Sequence, residues 1–227
     1  MHPDHAPSPA PAAAPAHQRR KAERPQELID AALSLFVEKG FAATRTDEVA
    51  ARAGVSKGTL YLYYPSKEEL LKAVIAQRLS SQITEGARQV AEHTGPCAEL
   101  LLDVLAAWWE RVYDSDASGV FKLIITEVRN FPDIAAFYLR EVVEPGEQLI
   151  GQIVQRGIDR GEFRAIDVHV VVHSLVMPLV MLCVHKHSLG ACGGMDALAM
   201  DPRRFIRQHI ALLLTGLLTP AAPLATP

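Results

Sequence analysis

Hydrogen-bond donors crowd a short segment in the N-terminal third of the chain. From residue 56 to residue 63 the sequence is SKGTLYLY, which offers hydroxyl, ammonium and phenol groups. DNA phosphates and base edges accept hydrogen bonds from such groups, and a glycine lets the backbone approach a phosphate. The segment, with the lysine that follows it, supplies these candidate DNA contacts: Ser56, Lys57, Gly58, Thr59, Tyr61, Tyr63 and Lys67.

The elements that position these donors are two short helices around one tight turn. We predict one helix over residues 46–53 and another over residues 57–62, with Gly54 in a left-handed turn between them. Ala50 is small where the helices approach, and Leu60 adds to the apolar seam. This spacing is typical of a helix-turn-helix, whose second helix enters the major groove. A solvated corner of a helical bundle is the alternative.

Capping residues frame these helices. An earlier helix is predicted from Pro25 to the helix-stopping Gly40, and Thr46 and Ser56 are the expected N-caps of the next two. Ser66 opens a fourth helix with a capping box. The acids nearby lie in first helical turns, where the helix dipole stabilises them, so they need not face DNA.

Composition bounds the class of protein. The 227 residues are 49% hydrophobic and only 6% aromatic, which excludes a disordered chain and favours an α-rich fold. The net charge of −3 means that DNA affinity must come from local placement of charge. Three cysteines without a CxxC pair indicate reduced thiols in the cytoplasm.

Residues 31–74, AALSLFVEKGFAATRTDEVAARAGVSKGTLYLYYPSKEELLKAV, closely resemble the DNA-binding domain of TetR/AcrR transcriptional regulators. The resemblance adds Thr46 to the expected operator contacts. Leu62 and Tyr64 depart from the family pattern, in which a polar aromatic residue and Phe are usual. The family also implies a homodimer, formed here by helices at 167–186 and 202–218. Their apolar faces include Val172, Leu175, Val176, Leu179, Phe205, Leu212 and Leu213.

We therefore expect an all-α fold with an N-terminal three-helix helix-turn-helix DNA-binding domain and a C-terminal helical ligand-binding and dimerisation domain. The first occupies residues 21–68 and the second residues 69–219, with disordered tails at 1–20 and 220–227. Beyond the first four helices, further helices are predicted at 97–113, 119–130, 132–143, 145–160, 167–186 and 202–218.

Aromatic residues of the C-terminal region suggest an apolar ligand pocket between helices. Ordinary core packing is the alternative for each of them. Adjacent tryptophans point about 100° apart on a helix, so at most one should point squarely into a given cavity. The candidate pocket residues are Trp108, Trp109, Phe121, Phe137 and Met177, with Tyr138 beside them.

Two further features carry weaker hypotheses. His169 and His173 lie four residues apart on one helical face, but no acidic residue or HExxH pattern accompanies them, so we expect no metal and no cofactor. The basic segment 19–24 either enters a minor groove or only keeps a tail soluble.

The sequence thus predicts a cytoplasmic, ligand-responsive repressor that binds a palindromic double-stranded DNA operator as a homodimer. A small apolar effector would release it. We expect no membrane span, because the apolar run at 168–184 is short and is interrupted by His and Pro. The alternatives are a small-molecule-binding helical protein and a metal-dependent helical enzyme, both without specific DNA recognition.

Overall fold

Helices form nearly all of the regular structure. The computed structural model describes residues 16–127, 129–192 and 201–218, and of residues 16–22 and 192 only the backbone. Within these ranges there is no β-strand, and a single isolated bridge pairs Phe163 with Leu218. The α-helices are α1 Ala16–Lys39, α2 Thr46–Arg52, α3 Lys57–Tyr63, α4 Lys67–Ile75, α5 Ser81–Glu92, α6 Cys97–Glu99, α7 Ala106–Asp114, α8 Ser118–Glu127, α9 Pro132–Tyr138, α10 Glu144–Asp159, α11 Val168–Lys186 and α12 Pro202–Leu217.

Three π-helical segments join successive α-helices into longer rods. Ala76–Ser80 connects α4 to α5, Leu100–Leu105 connects α6 to α7, and Leu139–Val143 connects α9 to α10. Leu189–Cys192 adds one 3₁₀ turn after α11. The rod from α4 to α5 crosses the boundary that we expected at residue 69, so the N-terminal and C-terminal regions share a continuous helix.

Helix α1 begins earlier than the sequence predicted. It starts at Ala16, and Pro25, the expected first residue, lies inside it. A proline fixes a φ close to the helical value and removes one backbone hydrogen bond, so a helix can pass through it at a cost. Residues 16–20 are therefore helical where we expected a disordered tail; residues 1–15 and 220–227 lie outside the described residues.

The helix-turn-helix follows the sequence prediction closely. Gly40 and Gly54 have φ values of 86° and 66°, the left-handed conformation that glycine adopts without a Cβ penalty. Ser56 caps α3 by accepting from the amide of Thr59 at 3.1 Å. The expected cap of α2 was wrong: Arg45 is the N-cap, and its amide donates to the carboxylate of Glu48 at 3.2 Å.

Helix α11 packs against α8, α10 and α12, and it carries apolar residues on both its buried and its exposed sides. Val172, Leu175 and Leu179, which we had assigned to a dimer interface, are buried within the protomer itself. The sequence could not distinguish the two faces, because an apolar helix has no amphipathic stripe to follow. The large apolar side chains that α11 and α12 leave exposed are Val170, Met177, Met181 and Leu212.

Two other features of this region bear on the expectations above. By length and hydropathy, the segment Val168–Ala191 is apolar enough to cross a membrane, but α11 packs against α8, α10 and α12. Cys97 and Cys183 are free and buried, and burial raises the pKa of the Cys183 thiol to about 12. That thiol therefore stays protonated at neutral pH and packs as a small apolar group.

Candidate DNA-binding surface and ligand cavity

Helix α3 presents one buried anchor and one exposed stripe. Leu60 is fully buried against the rest of the helix-turn-helix. On the opposite side Lys57, Gly58 and Tyr61 are exposed, and the side chain of Leu62 is 85% exposed. In the part of the chain that the structure describes, the ammonium of Lys57 has no hydrogen-bond or ion-pair partner. The exposed side of α3 therefore presents the Lys57 ammonium, the Tyr61 phenol and the backbone at Gly58 to solvent.

Hydroxyl groups tie α3 to its neighbours. Thr46 Oγ1 and the Tyr61 hydroxyl share a hydrogen bond of 3.0 Å, which joins the start of α2 to the middle of α3. Ser56 Oγ and Thr59 Oγ1 share another at 2.9 Å. Thr59 and Tyr63 are half-buried. Four of the predicted contacts thus also hold the recognition helix in place.

Lys67 occupies a different environment from the one predicted. Its Nζ donates to the carbonyl oxygens of Phe41, Ala42 and Thr44 at 2.8, 3.2 and 3.0 Å, and lies 4.5 Å from the centre of the Phe41 ring. An ammonium has three N–H bonds, and all three are used here. The structure favours a role in fixing the α1–α2 loop to α4 over the phosphate contact that we expected.

The acids around the helix-turn-helix are paired with bases. Arg45 forms an ion pair with Asp47 at 2.9 Å, and Lys39 forms one with Glu48 at 2.8 Å. These hydrogen bonds hold the pKa of each carboxyl below its usual range. The charges of Asp47 and Glu48 are thereby compensated by bases close to α3.

An apolar cavity of about 620 Å³ lies in the C-terminal region. Its walls come from α5, α7, α8, the end of α9, α10, α11 and the π-helical segments before α7 and α10. Four of the five predicted pocket residues line it: Trp108, Trp109, Phe121 and Met177. Trp108 and Trp109 both border the cavity, and their rings meet edge to face with centres 4.9 Å apart.

Phe137 was wrongly assigned to the cavity. Its ring faces the other way, with Lys72 Nζ 5.9 Å and the Arg140 guanidinium 5.6 Å from its centre. Tyr138 lines the cavity instead. Successive residues on a helix point about 100° apart, so an error of one position moves a side chain to another face.

Sequence reasoning missed the walls that α5 and α10 contribute. Gly86 and Gly146 lie on these helices and line the cavity. A Cβ on Gly86 would lie 3.4 Å from Leu149, and one on Gly146 would lie 3.8 Å from Ile83. Glycine inside a helix costs about 1 kcal/mol relative to alanine, and two such glycines were the available signal for a close approach of helices.

The histidine pair of α11 has an acidic neighbour, where the sequence indicated none. His173 lies 3.4 Å from the carboxylate of Glu147, and its Nδ1 lies 2.9 Å from the His169 carbonyl oxygen. No group of three metal-ligating side chains exists among the described residues. His173 and Glu147 both line the cavity, so this contact between imidazole and carboxylate lies on the cavity wall.

Three elements connect the cavity to the helix-turn-helix. Helix α8 lines the cavity with Phe121 and packs against α1 on its other side, where Lys122 approaches the Val37 carbonyl oxygen at 3.5 Å. Helix α9 places Tyr138 at the cavity and Phe137 against α4. The rod from α4 to α5 is shared by both regions. A change in cavity shape therefore acts on elements that touch α1 and α4.

Comparisons with known proteins agree with this arrangement. Residues 28–74 match the family described as bacterial regulatory proteins, tetR family, and residues 91–189 match the tetracyclin repressor-like C-terminal domain. The chain is 31% identical over 154 residues to the HTH-type transcriptional regulator YfiR of Bacillus subtilis, covering 66% of this chain and 72% of YfiR. It is 27% identical to the transcriptional repressor KstR2 of Rhodococcus jostii, covering 88% of this chain and 94% of KstR2.

A solved structure has the same fold. The transcriptional regulator FadR from Bacillus subtilis, in complex with stearoyl-CoA, aligns with a TM-score of 0.69 at 21% identity, covering 84% of this chain and 98% of FadR. Members of the matched family are DNA-binding regulators rather than enzymes, and typically act as dimers that bind small-molecule effectors. From the match of both regions and the similarity to YfiR, the chain belongs to the TetR family of transcriptional regulators.

Proposed function

We propose that this protein is a cytoplasmic repressor that binds a palindromic operator as a homodimer and leaves it when an elongated apolar ligand fills the C-terminal cavity. The cavity carries the proposal, because its walls belong to elements that also touch α1 and α4. DNA binding is assigned to α1–α4, and ligand binding and dimerisation to the helices that follow.

In this proposal α3 is the recognition helix, which reads the operator from the major groove. Lys57 and Tyr61 stand on its exposed stripe, and Thr46, Ser56, Gly58, Thr59 and Tyr63 surround that stripe or support it. In a twofold dimer, the two copies of α3 would meet successive major grooves about 34 Å apart. Exposed apolar side chains on α11 and α12 supply a surface for the partner copy.

The ligand is assigned to the long-chain acyl class. Trp108, Phe121, Val172 and their neighbours give the cavity an apolar lining, to which several helices contribute. FadR of Bacillus subtilis, which shares the fold, was solved with stearoyl-CoA. An acyl chain suits such a lining because its burial removes apolar surface from water.

The position of α8 between the cavity and α1 supports the proposed repression. A ligand that pushes against Phe121 shifts a helix whose opposite face contacts Val37. Specific DNA binding depends on the spacing of two reading helices, so a small shift at each subunit reduces affinity. The relatives include both a repressor, KstR2, and an activator, FasR of Mycolicibacterium smegmatis, so the sign of regulation needs a direct test.

The test is a footprint and a gel shift with DNA from the region upstream of the protein's own gene, across salt concentrations and with unrelated competitor DNA. We expect protection with twofold symmetry, selective binding, and release on addition of palmitoyl-CoA. Lys57→Gln should weaken binding, whereas Arg88→Gln, an equal charge change on α5, should leave it intact. Protection without twofold symmetry would contradict the dimer, and tighter binding with ligand would contradict repression.

A further inference from the structure

The charged and polar side chains that border the cavity differ in whether the protein already satisfies them. Glu85 is paired with Arg88 at 2.6 Å, and Glu147 is paired with His173 at 3.4 Å. Arg111 is an exposed residue that also borders the cavity, and its guanidinium has neither an ion pair nor a hydrogen bond to any residue in the described ranges. A guanidinium prefers a carboxylate or a phosphate as its partner. The cavity therefore has one cation that its own walls leave uncompensated.

Arg111 is the last residue of its helical rod to line the cavity. Leu100, Trp108 and Arg111 line the cavity from this rod, and the rise per residue places Leu100 and Arg111 roughly 16 Å apart. Leu100 is fully buried, and Val90 and Ile153 are buried lining residues on other helices. Along this rod the lining is therefore apolar at its Leu100 end and cationic at its Arg111 end.

A second donor borders the cavity. Tyr138 lines the cavity from the end of α9, and its hydroxyl has no hydrogen-bond partner among the residues that the structure describes. Burial raises the pKa of Tyr138, so its hydroxyl remains a donor at neutral pH. A cation and a hydroxyl donor in the lining of one cavity suit an oxygen-rich, negatively charged head group.

We propose that Arg111 binds the anionic head of the ligand, that Tyr138 donates a hydrogen bond to an oxygen of the same head, and that the acyl chain runs from there toward Leu100. This inference rests on the proposed acyl ligand and adds its charge and its direction in the cavity. The head would be either the carboxylate of a fatty acid or the phosphates of an acyl-CoA, which share the same chemistry at Arg111.

The orientation has a consequence for regulation. Arg111 lies near the end of the rod that leads toward α8, and α8 packs against α1. The head group is therefore expected to sit at the end of the cavity closer to the helix-turn-helix. A neutral ligand of equal length would fill the apolar end and leave the cationic end unengaged.

The experiment uses the protein's own fluorescence. The chain contains two tryptophans, Trp108 and Trp109, and both border the cavity, so ligand binding is read directly and without DNA. The probes are hexadecanoate, palmitoyl-CoA and, as a neutral molecule of the same chain length, 1-hexadecanol. We expect at least one anionic probe to bind about tenfold more tightly than the alcohol, the effect of one charge-assisted contact.

Variants assign that preference to residues. Arg111→Gln should abolish the anionic preference while leaving the affinity for 1-hexadecanol unchanged, and Arg129→Gln, an equal charge change at an exposed residue outside the cavity, should retain it. Tyr138→Phe should weaken binding of the anionic probe severalfold. Circular dichroism of each variant checks that the helices are intact.

The outcomes separate this inference from the proposed function. Equal affinities for the alcohol and both anions, or a preference that survives Arg111→Gln, would overturn the role of Arg111 and leave the apolar cavity standing. Failure of all three probes to change the fluorescence would overturn the acyl ligand and this inference together. A preference shown by hexadecanoate alone identifies a carboxylate head, and one shown by palmitoyl-CoA alone identifies the phosphates.

Discussion

Lys57 and Lys67 carry the same charge at the two ends of one short segment, and their surroundings give them different roles. Lys57 projects from α3 into solvent, whereas the three N–H bonds of Lys67 are used by carbonyl oxygens of the α1–α2 loop. A charge exposed on a DNA-facing stripe contributes to affinity through the release of counterions. A charge that satisfies backbone carbonyls contributes to folding.

Methionine at each position separates these roles, because it keeps the apolar stem and removes the ammonium. Lys67→Met should lower the free energy of unfolding by about 2 kcal/mol, since charged hydrogen bonds to partly buried carbonyls are lost. Lys57→Met should change it by less than about 0.5 kcal/mol, but should reduce the slope of log affinity against log salt by about 1. Urea denaturation and salt-dependent DNA binding measure the two effects. If Lys67→Met unfolds with an unchanged free energy but shows a reduced salt slope, Lys67 contacts a DNA phosphate, as the sequence predicted.

For single residues, the sequence correctly predicted the features that depend only on residues nearby in the chain. The cap at Ser56 and the left-handed turns at Gly40 and Gly54 depend on neighbouring residues alone, and they occur where expected. The cap of α2 and the direction of Phe137 depend on where neighbouring elements lie, and both were predicted incorrectly. A one-residue error is small along the chain but turns a side chain by about 100°.

Among the elements, α8 must fit against two neighbours at once, because one side of it lines the cavity and the other side packs against α1. Gly119 makes the close approach possible: a Cβ there would lie 3.1 Å from Val37 Cγ1 and closer still to Cγ2. The close approach of α8 to α1 thus depends on Gly119, which has no side chain. The sequence placed Gly119 at a helix start, but nothing local indicated that α1 would pack against it.

Gly119→Ala tests this contact. We expect a loss of about 1–3 kcal/mol in the free energy of unfolding, because the added methyl overlaps Val37. Val37→Ala should recover most of that loss in the double variant, which a double-mutant cycle quantifies. Gly216→Ala on α12 is the control, since a Cβ there has no neighbour within 4 Å, and it should be neutral or slightly stabilising. Additive effects at Gly119 and Val37 would show that the two residues do not share a contact.

The long helices show a second limit of sequence reasoning at the element scale. The bounds of α11 and α12 follow within a residue or so from their caps, Asp167 and Asp201. Their packing faces did not follow, because α11 has apolar residues on both its buried and its exposed sides, so their periodicity does not identify the buried one. Only the fold shows that Leu175 faces the core and Met181 faces outward.

For the molecule as a whole, the exposed apolar side chains of α11 and α12 matter most. Val170, Met177 and Met181 on α11 and Leu212 on α12 are each more than half exposed in the protomer. Apolar side chains grouped in this way mark a surface that a partner covers. Since members of the TetR family typically act as dimers, we expect a second copy of the chain to pack here, on the last two long helices.

Leu212→Arg tests the dimer, because Leu212 is 71% exposed and lies outside the cavity lining. A charge buried without a partner in a twofold interface is costly, and the symmetry places it there twice. Sedimentation should therefore shift from a dimer to the 24.8 kDa monomer, with helical content unchanged. Operator affinity should fall at least about 10²-fold, because the two reading helices lose their linkage. Leu62→Arg, at an exposed leucine of α3, should remain dimeric. If Leu212→Arg also stays dimeric, the interface lies on another surface, and the spacing of the two reading helices must be derived from that surface instead.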